Sequence, residues 1–218
     1  MKINKVAVIG AGLMGSGIAA QVANAGFPVT LLDIVPDGAT NRNVIAESAV
    51  RKMLKPVKLG SPAPLMHKKN AKLITTGNID DNLDLIKDAD LIIEVVLERL
   101  DIKHDVFIKI QKHRKKGSIV TSNTSTIPRE QLVKGMSESF AKDFMITHFF
   151  NPPRYLRLLE IVSGSEVSSD KVQIVSDFCD INLGKEIVVC NDTPGFIGNR
   201  IGTYWTLVGM VEAFKSNL

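Results

Sequence analysis

His148 and Glu160 are two residues of this sequence whose types and spacing could perform acid–base chemistry. His148 lies near the end of the apolar run FMITHF, and Glu160 lies 12 residues later inside the apolar run LLEIV. A carboxylate buried in such a run needs a partner, and an imidazole is the simplest one. The pair would fix the histidine tautomer, so that the other ring nitrogen could take a proton from a substrate hydroxyl. From spacing alone, a core histidine with local partners and a carboxylate at a sheet edge explain the two residues equally well.

A glycine-rich turn near the start of the chain has the pattern that binds dinucleotides. It reads Gly10-Ala11-Gly12-Leu13-Met14-Gly15, follows the apolar run KVAVI and precedes a segment with helical periodicity, which is the context this chemistry needs. Gly10 permits the tight turn, Gly12 lets the backbone approach a pyrophosphate, and Gly15 lets the helix pack on the strand. The helix N-terminus would then face the phosphates. We expect the whole turn, including Leu13 and Met14, to contact the cofactor, although a tight strand–helix turn without a ligand would also need these glycines.

Asp33 indicates which dinucleotide the turn would take. It ends the second apolar run, VTLLD, 23 residues after Gly10. A carboxylate at this position accepts hydrogen bonds from a ribose 2′-hydroxyl and repels a 2′-phosphate. The next three residues, Ile34, Val35 and Pro36, include no arginine to hold such a phosphate. The sequence therefore predicts NAD rather than NADP as the cofactor.

The elements that must position these residues alternate between short apolar strands and helices. This alternation predicts the α/β class, with a Rossmann-type, doubly wound and mainly parallel sheet. The predicted strands are Lys5–Ile9, Val29–Asp33, Leu73–Gly77, Leu91–Val96, Ser118–Thr121, Phe144–Phe149, Leu158–Val162 and Glu186–Cys190. The predicted helical segments are Met14–Ala25, Thr40–Leu54, Leu83–Lys87, Ile102–His113, Pro128–Lys134, Ser169–Asn182 and a last one opened by Asp192-Thr193-Pro194, while Lys58–Lys69 reads as a loop. Ligands of such sheets bind outside the carboxyl ends of the strands, where Ser122–Ser125 and His148 are expected to lie.

Composition narrows the function classes. The chain has 218 residues, 44% of them hydrophobic, which suffices for one sizeable core. A net charge of +4 could favour an anionic substrate, but the basic clusters lack interleaved aromatic residues, so we expect no nucleic-acid partner. Cys179 and Cys190 lie in apolar stretches and predict buried thiols rather than a disulfide framework. No signal peptide and no apolar run near the length of a membrane span is visible, so we expect a cytoplasmic protein without a membrane partner.

Five segments together resemble the 3-hydroxyacyl-CoA dehydrogenase family. They are VAVIGAGLMGSGIA (Val6–Ala19), IIEVVLERLDIK (Ile92–Lys103), SNTST (Ser122–Thr126), THFFNPPRYLRLLEIV (Thr147–Val162) and DTPGFIGNR (Asp192–Arg200). The HFFNP and DTPGFIxNR elements are far more specific to that family than the glycine pattern. The resemblance implies that His148 is the general base and Glu160 its orienting partner. It also implies that Ser125 and Asn199 contact the substrate 3-oxygen or the nicotinamide, and that Glu98, Lys103 and Asn151 line the NAD site.

The resemblance further implies NAD-dependent oxidation of (S)-3-hydroxyacyl-CoA to 3-oxoacyl-CoA in fatty acid β-oxidation. Members of the family carry a helical domain after DTPGFIxNR that closes the cleft, binds the acyl-CoA and usually forms a homodimer. We therefore expect residues 1–195 to be an NAD-binding domain with the catalytic pair, and residues 196–218 to be the first helix of a truncated C-terminal helical domain. A fragment of this kind would have weak or no activity. The stretch NPPRYLRLLEI resembles the large bacterial forms that are fused to an enoyl-CoA hydratase, which could otherwise be a separate partner.

Two other functions stay open at this point. Another β-hydroxyacid dehydrogenase would share the glycine turn, but HFFNP with a glutamate 12 residues after its histidine argues against it. A non-catalytic NAD-binding protein could keep the fold without the chemistry. The phosphates of a CoA substrate need cations, for which Lys52, Lys55, Lys68 and Lys69 are candidates, although solvated lysines explain them as well.

Overall fold

The strands form one sheet of eight in the computed structural model, which describes residues 2–56 and 62–216. Its order is β3-β2-β1-β4-β5-β6-β7-β8, and every neighbouring pair is parallel except the antiparallel pair β6–β7. The strands are β1 (Val6–Ile9), β2 (Val29–Asp33), β3 (Ile74–Asn78), β4 (Leu91–Glu94), β5 (Ile119–Ser122), β6 (Phe144–Phe149), β7 (Leu158–Ser163) and β8 (Glu186–Val189).

Helices cover both faces of this sheet. They are α1 (Leu13–Asn24), α2 (Val44–Met53), α3 (Leu100–His113), α4 (Arg129–Val133), α5 (Glu138–Ala141) and α6 (Ser169–Asp177). A further helix, α7 (Gly198–Lys215), buries none of its residues. Short 3-10 segments occupy Lys68–Leu73 and Leu83–Ile86, and a π-helical turn, Phe178–Asn182, extends α6. Of these elements, α5 was not predicted.

The strand sequences explain why the sheet is doubly wound. Along β1, Val6 and Val8 join the core cluster beneath α1, α2 and α6, whereas Ala7 and Ile9 join the cluster beneath α3, α4 and α5. Both faces of the sheet are buried, so the strand sequences are continuous apolar runs rather than alternating apolar and polar residues. The prediction of an α/β, Rossmann-type, mainly parallel sheet is confirmed.

The last helix begins later than predicted. The Asp192-Thr193-Pro194 sequence suggests a helix start, but α7 begins at Gly198. The reason is that the Asp192 carboxylate accepts hydrogen bonds from the first two backbone amides of α4 and so serves a different element. Gly195 and Phe196 then adopt the left-handed region, with φ of 76° and 46°, and turn the chain before it can become helical.

Other boundaries differ by a few residues. The helix predicted over Thr40–Leu54 is shorter, Val44–Met53. The predicted loop Lys58–Lys69 lies partly outside the described residues, and its end forms part of the 3-10 segment Lys68–Leu73. A domain boundary at residues 195 and 196 stays a prediction. Within residues 2–56 and 62–216, none of the helices is long and apolar enough to span a bilayer.

Candidate active site

The register of β6 and β7 places His148 and Glu160 directly opposite each other. The His148 Nδ1 atom lies 2.8 Å from Glu160 Oε2, and the two side chains are only 7% and 1% exposed. A carboxylate at Nδ1 selects the tautomer with the proton on that nitrogen. Nε2 is then the ring nitrogen left to exchange a proton with a substrate. The pairing predicted from two separate apolar runs is thus present in the structure.

The second oxygen of Glu160 ties the pair to the start of α7. Glu160 Oε1 accepts hydrogen bonds from the backbone amides of Ile197 (3.0 Å) and Gly198 (2.7 Å). These amides are among the unpaired donors at a helix N-terminus, where the helix dipole favours a negative charge. Both oxygens of this buried carboxylate therefore have partners, which is the condition for keeping it in the core.

Apolar side chains surround the histidine. The ring of Phe150 lies 4.5 Å from the His148 ring between centroids, and the ring of Phe196 lies at 5.7 Å. Cys190 also lies close to the pair: burial and the nearby Glu160 carboxylate raise the pKa of its thiol to about 11. The thiol is thus protonated at neutral pH and behaves as a small apolar group. The prediction that Cys179 and Cys190 are buried thiols is confirmed.

The glycine turn leaves room for a ligand at one position and no room at the others. Gly10 has φ of 107°, and a Cβ there would overlap the carbonyl oxygen of Val95, the residue that directly follows β4. A Cβ on Gly15 would overlap the carbonyl oxygen of Gly10. A Cβ on Gly12 would meet no protein atom within 4 Å, and Gly12 is exposed. The protein itself therefore explains Gly10 and Gly15, whereas Gly12 suits the close approach of a pyrophosphate.

Asp33, at the end of β2, is hydrogen-bonded to the backbone of the glycine turn. Its Oδ2 atom accepts a hydrogen bond from the Ala11 amide, and its Oδ1 atom accepts one from the Ile34 amide at 2.7 Å. The half-buried carboxylate therefore stands beside the turn, as a ribose-binding aspartate should. Leu13, 72% exposed, is accessible at the start of α1, whereas Met14 is partly buried against the core. These residues fit a dinucleotide, and direct contacts of Leu13 and Met14 with it stay predictions.

Glu98 organises the loop that follows β5. Its Oε1 atom accepts four hydrogen bonds, from Thr124 Oγ1, the Ser125 amide, and the amide and hydroxyl of Thr126. Burial alone raises the pKa of this carboxyl, but the hydrogen bonds from Thr124, Ser125 and Thr126, together with the Lys103 charge, outweigh burial and hold the pKa below its ordinary value. Glu98 is therefore ionised at neutral pH. Its contact with a cofactor stays a prediction, as does the role of Ser125, which this carboxylate helps to hold.

Lys103 is enclosed rather than open to the cleft. Its side chain is 1% exposed, and Nζ lies 2.8 Å from Glu94 Oε1 and 3.3 Å from Glu98 Oε2. Sequence reasoning missed Glu94, which is fully buried at the end of β4. The signal was present, because Glu94 interrupts the apolar run LIIEVV as Glu160 interrupts LLEIV.

Asn123 joins the loop after β5 to the strand that carries the histidine. Its Oδ1 atom accepts a hydrogen bond of 2.9 Å from the Phe149 amide, one residue after His148. This residue was not predicted to have a role. The structure therefore brings together two groups, one around His148 and Glu160 and one around Glu98 and Ser125, and Asn123 connects them.

Within the described residues, the remaining predicted site residues make no contact that tests their roles. Asn151 is exposed after β6, and Asn199 is half-buried in the first turn of α7. Their roles stay predictions. The candidate lysines for CoA phosphates lie at exposed positions of α2, its C-terminal end and the 3-10 segment: Lys52, Lys55, Lys68 and Lys69. In the part of the chain that the structure describes, no cluster of side chains could hold a metal ion.

Comparisons with known proteins place the chain among dehydrogenases. The family model of the 3-hydroxyacyl-CoA dehydrogenase NAD-binding domain matches residues 5–193. A probable 3-hydroxyacyl-CoA dehydrogenase of Deinococcus radiodurans is 47% identical over 215 residues, and a putative fatty acid oxidation complex trifunctional enzyme of Rickettsia prowazekii is 43% identical over 217 residues. The alignments cover 99% and 100% of this chain but only 60% and 30% of the two relatives. The chain thus spans less than two thirds of either relative.

Solved structures share the fold. FadB2 from M. tuberculosis has a TM-score of 0.82 at 26% identity, covering 100% of this chain and 74% of that chain. The (S)-3-hydroxybutyryl-CoA dehydrogenase PaaH1 from Ralstonia eutropha has a TM-score of 0.72 at 29% identity, covering 92% of this chain and 68% of that chain.

Proposed function

Since the chain belongs to the 3-hydroxyacyl-CoA dehydrogenase family and contains its NAD-binding domain, we propose that the protein oxidises (S)-3-hydroxyacyl-CoA to 3-oxoacyl-CoA. In this proposal His148 is the general base and Glu160 orients it. The reaction would serve fatty acid β-oxidation, as the name of the Rickettsia prowazekii relative indicates for that protein. Because the chain spans only part of its relatives, the activity, substrate and partners of the whole protein are proposals.

One observation carries the proposal, namely the buried pairing of His148 with Glu160 at 2.8 Å across β6 and β7. An apolar core does not need a histidine–carboxylate pair, since such groups are costly to desolvate. In a sheet that also carries a dinucleotide turn, the pair supplies what alcohol oxidation needs, a base whose protonated form is stabilised. A non-catalytic NAD-binding protein would gain nothing from it.

The proposal gives each site residue a role. When bound, NAD supplies the hydride acceptor for C3 of the substrate. His148 takes the hydroxyl proton on Nε2, and Glu160 stabilises the imidazolium through Nδ1. Ile197 and Gly198 hold the Glu160 carboxylate in place through its other oxygen. Ser125, whose loop is bound by Glu98, and Asn199 contact the 3-oxygen of the substrate or the nicotinamide.

The remaining parts of the proposal concern the surroundings of the enzyme. The cofactor is NAD rather than NADP because Asp33 stands where a 2′-phosphate would lie. Relatives named as a trifunctional enzyme and as a subunit of a fatty acid oxidation complex support a fused or separate partner, which in this proposal is an enoyl-CoA hydratase. A homodimer and a cytoplasmic location belong to the same proposal.

A turnover assay with a histidine control tests the proposal. The chain is titrated with NADH, acetoacetyl-CoA is added, and NADH consumption is followed by absorbance. We expect His148→Gln to bind NADH like the wild type and to lose roughly 10²–10⁴-fold in rate, which is the usual contribution of a general base. His104→Gln on α3 is the control, because His104 makes its hydrogen bond to the Gln131 carbonyl away from the pair. The assignment is wrong if His148→Gln turns over at the wild-type rate. NADH binding without turnover is also expected of a chain that spans only part of its relatives. The non-catalytic alternative is therefore favoured only if the full-length protein also binds NADH without turnover.

A further inference from the structure

The buried ion pair between Glu94, at the end of β4, and Lys103 takes no part in the proposed reaction steps. Lys103 Nζ lies 2.8 Å from Glu94 Oε1, and the two side chains are 1% and 0% exposed. A buried ion pair seldom stabilises a fold more than apolar residues of the same volume would, because both charges lose their hydration. The pair therefore calls for a role other than stability.

Glu94 ties together three segments that meet beside the glycine turn. Its Oε1 atom accepts hydrogen bonds from the Val96 amide (2.7 Å) and from Lys103, and its Oε2 atom accepts one from Ser122 Oγ (2.6 Å). In the sheet, Glu94 stands between Ile9 and Ser122, so it borders both the strand before the glycine turn and the strand before the Ser122–Thr126 loop. One carboxylate thus fixes the start of that loop to α3.

Lys103 also pairs with a second, more exposed carboxylate, that of Glu98. The ammonium lies between the two carboxylates, 2.8 Å from Glu94 Oε1 and 3.3 Å from Glu98 Oε2. Glu94 holds the loop at Ser122, while Glu98 holds it at Thr124, Ser125 and Thr126. Without the shared ammonium, two negative charges would face each other at short range and move apart.

The loop held in this way reaches the catalytic pair. The Asn123 amide donates to the Glu94 carbonyl oxygen at 2.8 Å, and Asn123 Oδ1 accepts from the Phe149 amide at 2.9 Å. Phe149 follows His148 directly. Hydride and proton leave the same alcohol, so the nicotinamide must lie close to His148 and hence to this loop.

We propose that Glu94 is a positioning residue for the nicotinamide end of the cofactor, acting through Lys103, Ser122 and the Ser122–Thr126 loop. The inference rests on the proposed function, since it assumes that NAD binds at the glycine turn. It assigns Glu94 no contact with substrate or cofactor. The adenosine end, held by the glycine turn and Asp33, does not depend on Glu94.

The test compares NADH with ADP-ribose, which lacks the nicotinamide. Both dissociation constants are measured by calorimetry for the wild type and for Glu94→Gln. We expect Glu94→Gln to weaken NADH binding by about tenfold or more, because the loop that Glu94 positions would no longer meet the nicotinamide, and to leave ADP-ribose binding unchanged. Equal weakening of both ligands, or of neither, overturns the proposal.

Two further variants separate positioning from stability. Asp143→Asn is the matched control, because Asp143 is 9% exposed and pairs with the buried Arg114 at 2.7 Å, ahead of β6 rather than at the carboxyl ends of the strands. It should lower stability and leave both ligands bound as in the wild type. The double variant Glu94→Gln/Lys103→Met leaves no unpaired charge in the fully buried pair, and Glu98 keeps its four hydrogen bonds to the loop. It should regain stability, yet still bind NADH weakly. If NADH affinity returns with stability, the pair is only structural and the proposal is wrong. If the wild type binds neither ligand, the proposed cofactor site fails instead.

Discussion

Glu160 lies opposite His148 in the register of β6 and β7, and its carboxylate joins the imidazole to the first amides of α7. One oxygen faces the base and the other faces a helix N-terminus, so the side chain cannot rotate without losing partners on both sides. The base is therefore held by two distant parts of the chain at once.

Glu160→Gln should reduce turnover by roughly 10²-fold or more, as expected when a histidine base loses its tautomer. The glutamine oxygen would stay with the Ile197 and Gly198 amides, so its NH₂ group would point to His148 Nδ1. That nitrogen would then have to accept, and Nε2 would carry the proton and lose its ability to take another.

The measurement is NADH consumption with acetoacetyl-CoA. Glu186→Gln on the edge strand β8 is the control, because Glu186 is exposed and pairs with the exposed Arg157 at 3.2 Å. A wild-type rate for Glu160→Gln would show that Glu160 does not set the tautomer.

The Gly12→Ala variant should weaken cofactor binding, whereas the Gly15→Ala variant should lower stability. The methyl of Gly12→Ala meets no protein atom, so the variant should fold normally but bind NADH at least about tenfold more weakly, because the methyl occupies the phosphate approach. The methyl of Gly15→Ala overlaps the Gly10 carbonyl and should cost about 3 kcal/mol of stability. Urea denaturation and calorimetric NADH titration measure the two effects. Unchanged NADH affinity in Gly12→Ala would mean that the turn is structural only.

Asp33→Asn should narrow the preference for NADH over NADPH. We expect the wild type to bind NADPH at least about tenfold more weakly, since the carboxylate repels a 2′-phosphate. The amide removes this repulsion and also loosens the hold on Ala11, so NADH binding should weaken while NADPH binding does not. Asp37→Asn, at an exposed position four residues later, should keep the wild-type ratio of the two dissociation constants.

Lys185 should make stability depend on pH. Its ammonium is buried, donates to the carbonyl oxygens of Pro153 and Leu156, and lies 5.6 Å from the Phe149 ring. Burial lowers the pKa of Lys185 to about 8 from 10.5. Between these values the unfolded chain binds more protons than the folded one, so the free energy of unfolding should rise as pH increases.

The comparison is urea denaturation at about pH 7 and about pH 8.5. Unfolded thiols titrate near the upper end of this range, whereas burial raises the thiol pKa values of Cys179 and Cys190 to about 12 and about 11 in the folded protein. The two thiols therefore oppose the gain equally in every variant, and the effect of Lys185 is the difference between the wild type and Lys185→Met. Lys185→Met should flatten the rise, whereas Lys87→Met at an exposed position should not. An equal rise in Lys185→Met would assign the effect to another group.

Local patterns in the sequence were enough to predict most of the fold. Apolar runs of strand length alternating with helical segments predicted the doubly wound sheet, because period and residue type depend on near neighbours alone. The glycine turn and Asp33 could be predicted for the same reason, since both belong to one strand–turn–helix unit and the strand beside it. Helix ends were less predictable. Asp192 resembles a cap for the helix after it, yet its carboxylate binds the start of α4, which lies more than 60 residues earlier.

The tertiary structure alone decided which side chains meet. Sequence placed His148 and Glu160 in two strands, but only the antiparallel register of β6 and β7 makes them partners, and a slip of one residue would point them to opposite faces. Likewise, the resemblance implied that Lys103 lines the NAD site, but its burial between Glu94 and Glu98 depends on how α3 packs at the end of β4. Local residue types set the elements, whereas the contacts between elements arise from packing of segments that are distant along the chain.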